Sequence, residues 1–157
     1  MEEGVKQENL DQENLDQENL DQKNTRSISL EKKVIMYSPL TLAYMGDSVL
    51  DLMIKKHFVS RGQMQVQKYH KQVTRVVSAV NQAAFIDWYE DKLTETEEEV
   101  YHRGRNASVH TKAKNATMGE YKKATGLEAI LGYLYLSEQG DRLCEIVDQL
   151  LTFSTGK

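Results

Sequence analysis

The spacing of apolar residues after position 37 limits the possible fold more than any other feature of the sequence. From Ser38 onward these residues recur at intervals of three and four, the spacing of one face of an α-helix. The first such segment begins at Ser38-Pro39, where serine suits the N-cap and proline the first turn. No two segments show the alternation of apolar and polar residues that is typical of paired β-strands. The fold class is therefore predicted to be all-α.

Five further helices follow from the same spacing, together with flanking capping and glycine signals. Thr94 and Glu97 form the pattern of a capping box, and the polar segment 106–119 has no helical periodicity and is predicted to be a loop. A short helix is also expected at 30–37. The main predicted helices cover residues 66–78, 79–90, 94–104, 120–137 and 141 to near the C-terminus.

The N-terminal segment has a different character. The unit Gln-Glu-Asn-Leu-Asp repeats every five residues, and a five-residue step turns a helix by about 500°, so Leu10, Leu15 and Leu20 do not share a face. Low complexity and high charge predict an acidic tail over residues 1–26 that is disordered, followed by one folded domain over 27–157. An acidic arm that binds a partner is the alternative.

The net charge of −4 is an average over two unlike parts. Residues 1–22 hold eight acids and one lysine, a net charge of −7, whereas residues 23–157 hold 19 bases and 16 acids, a net charge of +3. Basic blocks at 55–81 and 100–127 flank an acidic block at 87–99. A single block usually marks a solvated helix face, but two basic blocks are more suggestive of a polyanion-binding surface.

Composition also excludes several classes of protein. No run approaches the length of a membrane span, and no apolar segment follows the acidic N-terminus as in a secretory signal, so a cytoplasmic protein without a membrane partner is expected. The single cysteine, Cys144, excludes an internal disulfide framework. No phosphate-binding or dinucleotide motif is present, so no nucleotide cofactor is expected. The four histidines show no metal-ligand spacing.

One acidic residue lies inside each of the two most apolar helices: Asp47 in AYMGDSVL and Glu128 in TGLEAILGYLYL. Small neighbours such as Gly46 and Gly132 would let these helices approach closely and bring the carboxylates together. Two converging carboxylates suit a hard divalent cation such as Mg²⁺. The alternative is that both residues lie on exposed helix faces. Asp51, one turn after Asp47, could join the cluster or be a solvated surface residue.

These segments resemble the ribonuclease III endonuclease family. Residues 42–50, LAYMGDSVL, are similar to its helical signature; 103–106, RGRN, and 125–136, TGLEAILGYLYL, resemble its later motifs in the same order. The resemblance covers about residues 40–137 and is closer still to the Mini-III subgroup, the short bacterial form without an RNA-binding domain. It implies that 27–157 is a catalytic domain with the ribonuclease III helical fold.

The resemblance also implies roles for individual residues. Asp47 and Glu128 match the catalytic and metal-binding carboxylates, with Mg²⁺ as cofactor and Mn²⁺ as a substitute. Two other carboxylates of the wider family are replaced here by Ala43 and Thr125, which leaves the number of metal ions open. Tyr44 matches an aromatic dimer contact, so a homodimer is implied; an ordinary core aromatic is the alternative.

The implied activity is that of a Mg²⁺-dependent endoribonuclease, a hydrolase that cleaves double-stranded RNA to products with 5′-phosphates. The implied substrate is the precursor of large-subunit (23S) ribosomal RNA. Because A-form RNA is contacted mainly through its backbone and shape, basic residues on one helix face and in the following loop are candidate RNA contacts. They are Lys68, Lys71, Arg75, Arg103, Arg105, Asn106, Lys112 and Lys114.

Two other functions remain open at the level of sequence. A non-catalytic RNA-binding or ribosome-assembly protein on the same fold would explain the replaced carboxylates, but such a protein needs neither Asp47 nor Glu128. A helical interaction module with the acidic segment as its docking arm would leave the two basic blocks without a role.

Deleting residues 1–22 tests whether the acidic segment belongs to the active part of the protein. We expect RNA cleavage to be unchanged, or faster at low salt, because the deletion removes negative charge that competes with RNA for the basic surface. Initial cleavage rates at two salt concentrations measure this effect. Loss of activity on deletion would contradict the prediction.

Overall fold

The computed structural model describes residues 2–107 and 115–156, and this part of the chain is helical without strands, which confirms the all-α class. None of its helices is long and apolar enough to cross a membrane. A short 3₁₀ helix, Glu90–Lys92, follows α4. The α-helices are α1 Glu2–Ile35, α2 Pro39–Val59, α3 Val66–Val77, α4 Ala79–Tyr89, α5 Glu95–Asn106, α6 Met118–Leu136 and α7 Gly140–Thr155.

Helix α1 differs from the expected disordered segment, since residues 2–35 form one continuous helix. In each repeat the glutamine donates a hydrogen bond to the aspartate four residues later, as Gln7 does to Asp11 at 3.1 Å. The repeat leucines stay 50–54% exposed, so the helix is supported by local pairs and not by an apolar face. The chain divides into two compact units, one ending at Met36 and the other beginning at Tyr37. The predicted domain boundary at residue 26 stays a prediction.

The helix starts in the second unit follow the capping signals of the sequence. Ser38 accepts a hydrogen bond from the Thr41 backbone at 3.1 Å, and Pro39 opens α2. Both hydrogen bonds of the capping box at Thr94 are present, as predicted. A second capping box at Thr117 and Glu120 begins α6 at Met118, two residues before the predicted start.

Helix α6 is the central element of the second unit. It packs against α2, α4, α5 and α7. Leu127, Ile130 and Leu131 on this helix are fully buried. A helix that is apolar on nearly all sides is typical of the middle of a helical domain, and between residues 124 and 134 of α6 every residue except Glu128 is buried.

The backbones of α2 and α6 touch because both helices carry glycine at the crossing. A β-carbon on Gly46 would overlap the carbonyl oxygen of Glu128, and one on Gly132 would overlap the carbonyl oxygen of Leu42. Helices approach this closely only where side chains are missing from the contact. The two glycines therefore set the distance between the helices that carry Asp47 and Glu128.

Replacing Gly46 with alanine should lower the free energy of unfolding by more than about 2 kcal/mol, because the new methyl group has no space against the α6 backbone. Urea denaturation followed by circular dichroism measures the change. Gly119→Ala is the matched control, since Gly119 is also a helical glycine, on α6, and its β-carbon would meet nothing closer than 3.9 Å. Equal stabilities of the two variants would contradict the close contact.

Candidate active site

Asp47 on α2 and Glu128 on α6 line one cavity of about 280 Å³. Asp47 follows Gly46 directly, and Gly46 rests on the backbone of Glu128, so the helix crossing places the two acidic residues beside each other. Asp47 is exposed at the surface, whereas Glu128 is partly buried. The lining residues are Asp47, Val77, Ala79, Gln82, Tyr121, Ala124, Thr125 and Glu128.

The Glu128 carboxyl is in an unfavourable place for a negative charge. Burial and, to a smaller extent, the nearby charge of Asp47 together raise its pKa from the ordinary 4.5 to about 7. A hydrogen bond of 3.0 Å from the Gln82 side chain to Glu128 Oε1 opposes this shift. Two neighbouring acidic groups, one of which has its pKa raised to near neutral pH, are typical of a catalytic or cation-binding site.

The donor set of this cavity fits a hard divalent cation. Within the described ranges 2–107 and 115–156, its lining residues include two carboxylates and no lysine, arginine or histidine that would neutralise them. Oxygen ligands of this kind are those that Mg²⁺ prefers. At the positions of the replaced family carboxylates, Ala43 is buried and Thr125 lines the cavity, its hydroxyl donating to the Tyr121 carbonyl oxygen at 3.0 Å. Asp51 does not line the cavity; it forms an ion pair with Lys55 at 2.7 Å.

A second acidic cluster lies at the end of α4 and on α5. Glu90, Glu98 and His102 each offer a ligand atom within 4.8 Å of the others, so the cluster could hold a metal ion. The expectation that no histidine has ligand spacing was therefore wrong for His102, which lies one helical turn after Glu98 on the same helix face. That four-residue spacing was visible in the sequence. His110 lies outside the described residues.

The predicted RNA contacts fall into two groups. Lys68, Lys71 and Arg75 are exposed on α3, with the spacing of one helix face. Arg103 and Arg105 on α5 are only partly exposed. Lys112 and Lys114 lie outside the described residues.

The α5 group makes contacts of its own within the chain. The Arg103 guanidinium donates to the Tyr37 carbonyl oxygen at 3.1 Å. The Arg105 guanidinium lies 5.5 Å from the centre of the Tyr101 ring, and its Nε donates to the side chain of Asn106 at 3.4 Å. Asn106 itself is exposed. These contacts hold the two arginines against the domain, so α3 presents the more freely exposed of the two basic groups.

Tyr44 is 76% exposed in the single chain, which excludes the alternative of an ordinary core aromatic. Leu52, two turns further along α2, is 69% exposed. Beside them lies a mainly apolar groove of about 420 Å³ between α2, α6 and α7. Its lining residues are Met45, Ser48, Val49, Leu52, Met53, Tyr135, Gly140, Leu143 and Cys144. Helix α2 thus carries both the Asp47 carboxylate of the cavity and exposed apolar side chains.

Comparisons with known proteins agree with this architecture. The sequence profile described as Ribonuclease III domain matches residues 40–139, and the chain belongs to this family. Members of the family with this fold are endoribonucleases, and the chain is a hydrolase of that class.

Individual relatives cover most of the chain. It is similar to Mini-ribonuclease 3 of Symbiobacterium thermophilum, at 41% identity over 73% of this chain and 88% of the relative. It is also similar to Mini-ribonuclease 3 of Streptococcus pneumoniae, at 42% identity over 73% and 91%. A protein of Fusobacterium nucleatum solved by X-ray crystallography matches with a TM-score of 0.69 and 30% identity, over 74% of this chain and 93% of that one.

The raised pKa of Glu128 predicts a pH-dependent cost to stability. Between pH 4.5 and about 7 the folded state binds a proton that the unfolded state has released, so the free energy of unfolding falls as the pH rises through this range. Glu128→Gln removes the ionisable group and should be more stable than the wild type at pH 8, by up to about 3 kcal/mol, with little difference near pH 4.

Urea denaturation in the presence of a chelator measures this difference at both pH values. Asp51→Asn is the control, because Asp51 forms an exposed ion pair worth less than about 1 kcal/mol. Identical pH dependences of the wild type and Glu128→Gln would show that the Glu128 carboxyl carries no such cost.

Proposed function

We propose that this chain is a Mg²⁺-dependent endoribonuclease that cleaves double-stranded RNA, in the cytoplasm, with the 23S ribosomal RNA precursor as its substrate and 5′-phosphates on its products. The observation that supports this proposal most strongly is the shared cavity of Asp47 and Glu128, two carboxylates held side by side by the crossing of α2 and α6. The family and the Mini-ribonuclease 3 relatives support the RNA substrate.

Asp47 and Glu128 would hold the cation, with Mn²⁺ as a substitute for Mg²⁺. A divalent cation in such a site supplies an activated water molecule and compensates the charge that develops on the scissile phosphate. The exposed Asp47 faces the solvent from which RNA arrives, while the partly buried Glu128 is fixed by the Gln82 side chain. Because the pKa of Glu128 is about 7, its ionised form is unfavourable in the free protein. A neighbouring cation stabilises that ionised form and so offsets the cost of burying it.

RNA would be held through its backbone by two groups of basic residues, one on α3 and one on α5 and in the segment after it. The exposed cations lie on α3, and the last residue of this helix, Val77, lines the cavity. Arg103, Arg105 and Asn106 on α5 would form the second group, with Lys112 and Lys114 in the segment after it. Phosphate contacts of this kind are independent of base sequence and weaken strongly with salt.

The exposed apolar surface of α2 supports a homodimer. Tyr44 and Leu52 are large and exposed on α2, and Leu52 lines the groove that also contains Tyr135 and Cys144. An exposed apolar surface of this extent on a small domain is typical of a protein interface. We propose a second copy of the chain as the partner, with two active sites per dimer.

Asp47→Asn and Glu128→Gln should each abolish cleavage of long double-stranded RNA, lowering the rate by at least about 100-fold, because each removes a charged cation ligand. Gel electrophoresis of the products and filter binding of the RNA give the two readouts. RNA binding should persist in both variants, and Asp51→Asn should cleave at the wild-type rate.

The same experiment tests the alternative of a non-catalytic RNA-binding protein, which the replacement of family carboxylates by Ala43 and Thr125 favours. If the wild type and both variants bind RNA equally but none cleaves it, the nuclease proposal is wrong.

Tyr44→Asp should shift the protein from dimer to monomer, because the new charge would be buried in the interface without a partner. Sedimentation at micromolar concentrations measures the mass. Val66→Asp is the control, since Val66 is equally exposed at the start of α3, outside the apolar face. A wild type that sediments as a monomer would contradict the proposed assembly.

A further inference from the structure

Gln82 is an unusual residue for the first turns of a helix that otherwise packs into the core. It is 2% exposed and lines the cavity of Asp47 and Glu128. Its Nε2 donates two hydrogen bonds, one of 2.8 Å to the carbonyl oxygen of Val77 and one of 3.0 Å to Glu128 Oε1. The side chain therefore links the α3–α4 junction to the acidic residue of α6.

The partners of Gln82 decide which way its amide points. Both neighbouring atoms are oxygens that accept hydrogen bonds, so the NH₂ group must face them, and the reversed amide would place oxygen against oxygen. The remaining atom, Oε1, is buried and has no hydrogen-bond partner among the residues that the structure describes. Buried acceptors are nearly always satisfied, so an unpartnered one beside a carboxylate pair requires an explanation.

We propose that Gln82 Oε1 is a third oxygen ligand of the cation held by Asp47 and Glu128. Amide oxygens are ordinary ligands of hard divalent cations, and this one belongs to the same amide group that contacts Glu128. The two replaced family positions, Ala43 and Thr125, bring no carboxylate to the site, and a neutral oxygen from α4 supplies a further ligand without adding a third negative charge to the cavity.

This inference rests on the proposed function, because it assumes that the cavity binds a divalent cation. The test is therefore a binding measurement on the RNA-free full-length chain, with Mn²⁺ as the probe and the electron paramagnetic resonance signal of free Mn²⁺ as the readout. Every chain compared, including the reference with wild-type Gln82, carries Glu98→Ala and His102→Ala as well, so that the separate cluster of Glu90, Glu98 and His102 does not contribute.

Two substitutions separate a ligand from a residue that only orients Glu128. Gln82→Met keeps the length of the side chain and removes both the oxygen and the NH₂ group; it should weaken Mn²⁺ binding at least about tenfold. Gln82→Glu keeps an oxygen ligand but cannot donate to Val77 and Glu128 as the amide does; it should bind Mn²⁺ at least as tightly as the wild type. If Gln82 acts only through its hydrogen bond to Glu128, both variants should be equally impaired.

Gln72 provides a matched control, because its Oε1 is also buried without a partner in the described part of the chain but the residue does not line the cavity. Gln72→Met should leave Mn²⁺ binding unchanged, and circular dichroism in chelator should show every variant folded. Wild-type affinity in Gln82→Met, or equal weakening in Gln82→Met and Gln82→Glu, would overturn the ligand role alone. A wild type that binds no Mn²⁺ would overturn the proposed function as well.

Discussion

The backbone contact between α2 and α6 is the constraint on which the rest of the structure depends. Gly46 and Gly132 leave no side chain between the helices, so each backbone rests on a carbonyl oxygen of the other. This contact fixes the central helix of the domain and, in the same turn, sets Asp47 beside Glu128. Core packing and the proposed chemistry therefore use the same few residues.

Because the carboxylates are placed by the packing of the core, they cannot move apart to reduce their repulsion. Glu128 is partly buried and faces the charge of Asp47, and the consequence is a pKa near 7 in place of 4.5. A protein selected only for stability would avoid this arrangement. A divalent cation between the two groups would replace their electrostatic repulsion with attraction to the cation. Cation binding therefore gives the arrangement a function.

The sequence predicted much of the fold, because caps and apolar spacing act locally. Helix α2 begins where predicted, and α3 to α7 begin and end within a few residues of their predicted bounds. The small residues around Asp47 and Glu128 correctly indicated a close helix crossing. Helix α1 was not predicted, since its pairs of glutamine and aspartate stabilise a helix that has no apolar face. Gln82 was also missed, because a lone glutamine has no spacing signal and its burial arises from tertiary packing.

A crystal structure of the chain grown with Mn²⁺, measured at the wavelength of the manganese absorption edge, tests the central claim most directly. The account predicts an anomalous peak in the cavity, roughly 2–2.6 Å from oxygens of both Asp47 and Glu128. A well-ordered cavity without a peak, or manganese bound only at Glu90, Glu98 and His102, would contradict it.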